Sequence, residues 1–225
     1  MRDLVLGLSR VGGGALAGAT AGLASLRSRA KPLHPRGEVW EGRVTRSGGT
    51  TGRRTGVAWL DEPGEDDVLA RLSAAIGLPS LTWDLAGLAL RLRDQGPGDV
   101  LFATTGASPL GRFVLLPTIA ARRSGLTTLL PYETPVGPVV LRAVPDDGFE
   151  QSRDYTLSYA RGLGRWVEFG HLELVRRSDE EPSFDPVLLP PTGLGVPPLW
   201  ALLRAPAYAR ARTSRGEDAR PLLTS

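Results

Sequence analysis

The chain predicts a mainly antiparallel β fold, α+β in class, closed into a barrel with peripheral helices and a proline-rich wrapping segment. Three observations lead there. Short runs rich in β-branched and aromatic residues recur between turn signals, about eight of them in fewer than roughly 200 residues. Glycine (28) and proline (19) are both abundant, which favours turns and short strands over long helices. Finally, Pro182, Pro186, Pro190, Pro191, Pro197 and Pro198 crowd the C-terminal part, where an extended strap over the barrel is the natural reading. Hydrophobic residues at 41% and charged residues at 23% are ordinary globular usage, enough for one sizeable core.

Element by element, the first strand is read at 38–46 and a turn at 47–52, followed by a second strand at 55–60. Glu65, Asp66 and Asp67 place negative charge where a helix would start, and Val68, Leu69, Leu72 and Ile76 follow at helical spacing. Strands are expected at 85–92 and 100–104 about a turn at 96–99. The apolar pattern continues through 113–116, and further strands are expected at 127–132 and 139–143. Residues 155–159 and 166–175 read as a hairpin around Arg161-Gly162-Leu163-Gly164. The second of these strands alternates imperfectly, as a strand buried on both faces would. A short helix over about 199–212 and a polar tail complete the chain. The organisation expected is an arm at 1–31, a barrel domain with strap and helix at 32–213, and a mobile tail at 214–225.

Composition removes several kinds of chemistry. Without cysteine there are no disulfides, iron–sulfur clusters or thiolate metal sites, which fits a cytoplasmic protein. Two histidines cannot build a multi-histidine metal centre. No nucleophile elbow and no Walker-type loop occurs. The net charge of +3 comes from arginines interleaved with acids, and Lys31 is the only lysine, so no nucleic-acid partner is expected. The scattered aromatics make no stacking platform either.

The arm differs from the rest. Gly14, Gly18 and Gly22 recur every four residues in a glycine/alanine run from Val11 to Leu26. That run falls short of the ~20 apolar residues a span needs, and Arg10 splits the apolar stretch that a signal peptide would require. The arm is read as packing on the domain or on a second copy, which would make a homo-oligomer. Peripheral membrane contact through residues 1–30 is the alternative.

One of the two histidines, His34, sits in Leu33-His34-Pro35-Arg36-Gly37, directly before the first strand. This string resembles the distal His-x-Lys-Gly string of the haem catalases, and Arg43-Val44-Thr45 resembles their Phe-Glu-Val-Thr. The run from Asp84 to Leu92 resembles their Asp-Pro-Arg-Gly-Phe-Ala-Val-Lys-Phe strand. Asp99–Thr105 falls where that family has Asp-Leu-Val-Gly-Asn-Asn-Thr, and Phe184-Asp185-Pro186 resembles the start of its wrapping segment. The order and rough spacing agree from His34 to about Tyr208. The similarity is to short catalase-like proteins that lack the family's long C-terminal portion.

The resemblance implies a catalase-like barrel that binds haem, with peroxidase-type activity. His34 would be the distal acid/base, with Thr104 in the place of the catalytic asparagine. Arg91 and Arg204 would be propionate or phenolate partners, and Tyr208 the axial metal ligand. Arg204 precedes Tyr208 by four residues, the family's spacing for a ligating tyrosine. The same residues also resemble the family's earlier Asn-Arg-Asn-Pro-x-Asn-Tyr stretch, and on that alignment the chain stops before the haem ligand. The departures count against efficient dismutation. Thr104 replaces asparagine, Ala86 replaces the propionate-holding arginine, and 56–60 carries no arginine. The alternative is a haem-free barrel that binds an apolar small molecule, a membrane surface or a partner protein. A phosphodiester hydrolase lacks its usual ligands.

Overall fold

The computed structural model describes residues 37–49, 54–74, 86–94, 96, 98–106, 108–116, 125–147 and 152–198. The chain divides into two units. Leu33–Pro198 contains all the described residues; Met1–Pro32 with Leu199–Ser225 lies outside them. The arm, the helix expected over 199–212 and the tail therefore fall outside the described residues.

Eight antiparallel strands close on one another in sequence order. They are β1 (Gly37–Ser47), β2 (Pro63–Ala74), β3 (Ala86–Leu92), β4 (Gly98–Thr104), β5 (Leu126–Thr127), β6 (Val139–Pro145), β7 (Asp154–Arg161) and β8 (Val167–Arg177). Strand β8 pairs back to β1 between Arg46↔Gly170 and Trp40↔Arg177, so no edge is left open. The barrel is sheared, as closure requires. A hydrogen-bonded row that passes through Leu126, Ala143, Leu157, Gly170 and Arg46 reaches β2 at Gly64, near the start of that strand.

Alternation fixes which side chains fill the interior. Strand β3 buries Ala86, Leu88, Leu90 and Leu92 and leaves the residues between them half-exposed. Val44, Val68, Ala70, Phe102, Leu141, Ala143, Leu157, Leu172 and Leu174 join them in one core with Trp59, Tyr155, Tyr159 and Phe169. Each fully buried Leu or Phe contributes about 1.5–3 kcal/mol. Among the described residues these side chains form one continuous core inside the barrel.

Two expected elements are corrected. Residues 55–60 do not form the second strand. Asp61 instead accepts hydrogen bonds from the Thr55 and Gly56 amides (2.9 and 2.7 Å), and Ala58–Asp61 make a single helical turn. The segment read as a helix, with its acidic start, is strand β2. Its acids alternate across the sheet: Asp66 points inward to Arg46, while Asp67 is exposed beside Arg43. Ion pairing across a strand pair outweighs the helix-start signal, because both acids face arginines of β1. Phe113 ends a 3-10 turn (Gly111–Phe113), and the strand expected at 127–132 shrinks to Leu126–Thr127, where Leu129 takes a positive φ of 60°.

The hairpin is confirmed, and its imperfect alternation has a cause. Leu157 pairs with Gly170 but Ser158 pairs with Glu168, so Phe169 is the extra residue of a bulge. The bulge lets Phe169 and Leu172 both enter the core although their spacing has the wrong parity for one face. A second irregularity falls at Glu41/Gly42 on β1, where a Cβ on Gly42 would lie 2.5 Å from the Glu173 carbonyl oxygen. Only glycine lets the two backbones come that close.

The strap is held by the strand β4 turn. The Asp99 amide donates to the Leu189 carbonyl (2.6 Å), and Pro191 packs on Gly98 so closely that a Cβ there would sit 2.9 Å from its Cα. Further along, Glu133 and Gly195 exchange backbone hydrogen bonds of 2.7 and 2.8 Å.

Candidate functional site

The end of the barrel where β1 begins is built from four strands in register. Gly37 pairs with Ser73, Ser73 with Gly87, and Gly87 with Ala103. Thr104 follows Ala103 and closes this end. His34 lies three residues before Gly37 in the chain and outside the described residues. Tyr208 and Arg204 are also outside them.

Thr104 is fully buried, and its hydroxyl is spoken for twice. Oγ1 accepts from the Ala86 amide (3.1 Å) and donates to the Ala86 carbonyl (3.0 Å). The side chain thus pins the start of β3 to the end of β4. A hydroxyl in that state has one lone pair left and no proton to give.

Arg91 sits elsewhere. It is four residues along β3 from Gly87, about 13 Å away at ~3.3 Å per residue. Directly opposite it in register is Asp99. Arg91 Nε and Nη2 donate to the two oxygens of this carboxylate, each at 2.7 Å. Nη2 also donates to the Ser183 carbonyl, and the guanidinium lies 5.2 Å from the Phe184 ring centre. The Asp185 amide donates to Asp99 Oδ2 at 2.6 Å. Asp99 is fully buried and joins hairpin to strap through charge-assisted bonds.

The second histidine, His171, is half-exposed, and its Nε2 lies 3.3 Å from Asp154 Oδ1. Two polar groups inside the barrel were not singled out from the sequence. Arg46 Nε donates to Asp66 Oδ2 at 2.7 Å, Arg46 Nη1 to the Glu62 carbonyl at 2.8 Å, and Trp59 Nε1 to the same Asp66 oxygen at 3.2 Å. The other Asp66 oxygen has no hydrogen-bond partner among the described residues. Burial pushes the Tyr155 phenol well above the ordinary tyrosine range and raises that of Tyr159 too, where nearby Asp61 adds to the rise and Arg161 opposes it. A shallow cleft outside β1, β2 and β8 is lined by Glu41, Arg43, Asp67, Arg93 and Arg176. Its charges largely satisfy one another, Arg176 on Glu41 and Arg43 on Asp67.

Eight antiparallel strands closed in sequence order, with a C-terminal strap clasped to the β3–β4 hairpin, define the architecture. Two fungal catalases of known structure share it. Catalase A from Saccharomyces cerevisiae superposes with a TM-score of 0.58 at 12% identity, over 87% of this chain and 64% of that one. This is a catalase-like fold. A second fungal catalase gives a TM-score of 0.56, again at 12% identity, over 86% of this chain and 62% of that one. The chain thus spans under two thirds of the length of the catalases it matches. No protein-family model and no curated protein matches it.

Haem needs an axial donor, an apolar slot and cations for its propionates. The described residues do not assemble these. Arg91 is held by Asp99, and Gly37, Ser73, Gly87 and Thr104 at the strand ends are themselves neither ligand nor cation, although the Arg71 guanidinium lies close to Gly37. Among the described residues, no three histidine or carboxylate side chains could hold a metal ion either. Among the same residues, no helix is long and apolar enough to cross a membrane.

Proposed function

We propose that this chain is a catalase-like haem-binding protein whose working end is the β1–β4 end of the barrel, with only weak peroxidase-type turnover. One observation carries the reading. The strand that His34 precedes starts in register with the strand ends that carry Ala86 and Thr104. His34, read from the sequence as the distal acid/base, directly precedes in the chain the strand that begins at the end where Thr104 lies, which supports assigning both residues to one site. The catalase-like fold supports haem as the group bound.

When bound, haem supplies the redox centre for peroxide. The chain's own part is narrower. An imidazole titrates near neutrality and can take and return a proton, the role assigned to His34. The Thr104 hydroxyl, committed to Ala86, has no proton to offer a bound peroxide, unlike an amide. That supports slow turnover. Since the described residues offer no iron ligand, binding depends on residues such as His34 and Tyr208.

Hemin titration of the purified chain tests the proposal. A saturable Soret band at one hemin per chain is expected, with the band altered in H34A and lost in Y208F if a phenolate ligates iron. Peroxide turnover of the loaded protein should lie orders of magnitude below that of an efficient catalase. A visible spectrum with no more than free hemin would overturn it, leaving a haem-free barrel.

A further inference from the structure

Arg112, Arg142 and Trp166 meet on the outside of the barrel, away from every group discussed so far. Arg142 lies on β6, paired with Thr127 and Ser158, and points away from the core that Leu141 and Ala143 enter. Arg112 belongs to the 3-10 turn after β4. Its guanidinium carbon is 4.2 Å from the centre of the Trp166 ring, and that of Arg142 is 4.4 Å from the same centre.

Each cation has been left incomplete. Arg112 is 3% exposed; Nη1 and Nη2 donate to the carbonyls of Gly162 and Gly164 (3.1 and 3.0 Å), while Nε is buried without a partner. Arg142 makes no hydrogen bond among the described residues, and its Nε is also buried and unpartnered. No carboxylate pairs with either one among those residues. The contrast within the same barrel is sharp, because Arg46 and Arg91 each have a fully buried aspartate. Burial disfavours the charge on both guanidiniums, and Arg112 adds to that at Arg142. Two like charges held together and partly stripped of water raise the energy of the fold unless a countercharge arrives.

We propose that Arg112 and Arg142, held against Trp166, form a binding site for a phosphate dianion. A carboxylate would neutralise only one of the two cations. A phosphate monoester carries close to two negative charges at neutral pH, its second pKa being about 6, and offers three strong acceptors; the Nη groups of Arg142 donate to it, while Arg112, whose own Nη groups are held by Gly162 and Gly164, contributes its charge. Trp166 holds the arginines in place, which lowers the ordering cost of binding. Leu163 is 55% exposed between the two glycines that anchor Arg112 and gives an ester's substituent an apolar contact. The site does not depend on haem.

Calorimetric titration of the full chain in phosphate-free, low-salt buffer at pH 7.5 tests it, with inorganic phosphate, phenyl phosphate and acetate as probes. Saturable binding of phosphate at one per chain is expected. R142Q should weaken it at least tenfold, R142K by less, and R176Q, at the distant cleft, should leave it unchanged. Tighter binding of phenyl phosphate would identify an ester as the ligand; equal binding would identify free phosphate. Affinity should fall at pH 5.5, where the dianion is protonated. Should R142Q misfold, phosphate-induced NMR shifts in the unmodified protein decide instead, and they should centre on the Trp166 indole. Absence of saturable binding, an R142Q affinity equal to that of the unmodified protein, acetate binding as tight as phosphate, or shifts centred elsewhere would overturn the proposal.

Discussion

Replacing Arg46 by methionine should destabilise the barrel by about 3–5 kcal/mol. The size follows from burial. Asp66 is wholly inaccessible and Arg46 only 5% exposed, so R46M leaves a carboxylate in the core with Trp59 Nε1 as its remaining donor. Methionine replaces the aliphatic stem of arginine, so little packing is lost and the unpaired charge dominates. A methyl group on Gly64 would meet the Arg46 guanidinium at 2.3 Å, so this strand leaves room for the cation and water has no easy way in. At roughly 2–4 °C per kcal/mol for a chain of this size, the melting temperature should fall by roughly 6–20 °C. The double variant R46M/D66L removes both charges and should recover most of the loss. It still leaves Trp59 N–H and the Glu62 carbonyl without their partners, about 1–3 kcal/mol. Urea unfolding followed by tryptophan fluorescence gives all three values. A single-variant loss below about 1 kcal/mol, or a double variant no better than R46M, would refute the claim that this pair is dry and coupled.

Other consequences follow from the same packing. D99N breaks the fork to Arg91 and weakens the acceptor of the Asp185 amide; limited proteolysis should cut faster within 183–190, while hairpin resonances of β7–β8 stay unchanged. T104V removes both hydrogen bonds to Ala86 and should cost about 1–3 kcal/mol, read as a lower urea midpoint. G42A forces a methyl group onto the Glu173 carbonyl and should lower the melting temperature by several degrees, with loss of protection at the β1–β8 pairing in hydrogen exchange. The Tyr155 and Tyr159 phenols ionise less readily folded than unfolded, so their contribution is complete below about pH 10 and is lost as pH rises above it. Absorbance titration should show these two ionising only together with unfolding. Ionisation of all tyrosines near pH 10 in the folded protein would contradict their burial.

Much of the barrel was legible in the sequence because its strands carry local signals. The runs at 38–46, 85–92, 100–104 and 139–143 sit between strong turn residues, and each is a strand with bounds moved by one or two residues. Strand β2 was not legible. Its acids, read locally, resemble a helix start, and their partners Arg43 and Arg46 lie some twenty residues back on β1. The β8 bulge left a trace as broken alternation but gave no hint of which residue was extra. Of the candidate site, only the juncture of His34 with the first strand could be read from the chain alone. The clasp of Arg91 on Asp99 was open to reading, since a turn at 96–99 sets them opposite each other. Arg112, Arg142 and Trp166 come from three distant segments, and no local pattern links them.

The proposed haem would be held at the barrel end where β1 starts. Amide NMR of the isotope-labelled chain with and without one equivalent of paramagnetic hemin tests it directly. The account predicts broadening at Gly37, Ser73, Gly87 and Thr104, with Gly98 and Leu189 at the strap left sharp. Broadening centred on the strap, or none at all, would contradict it.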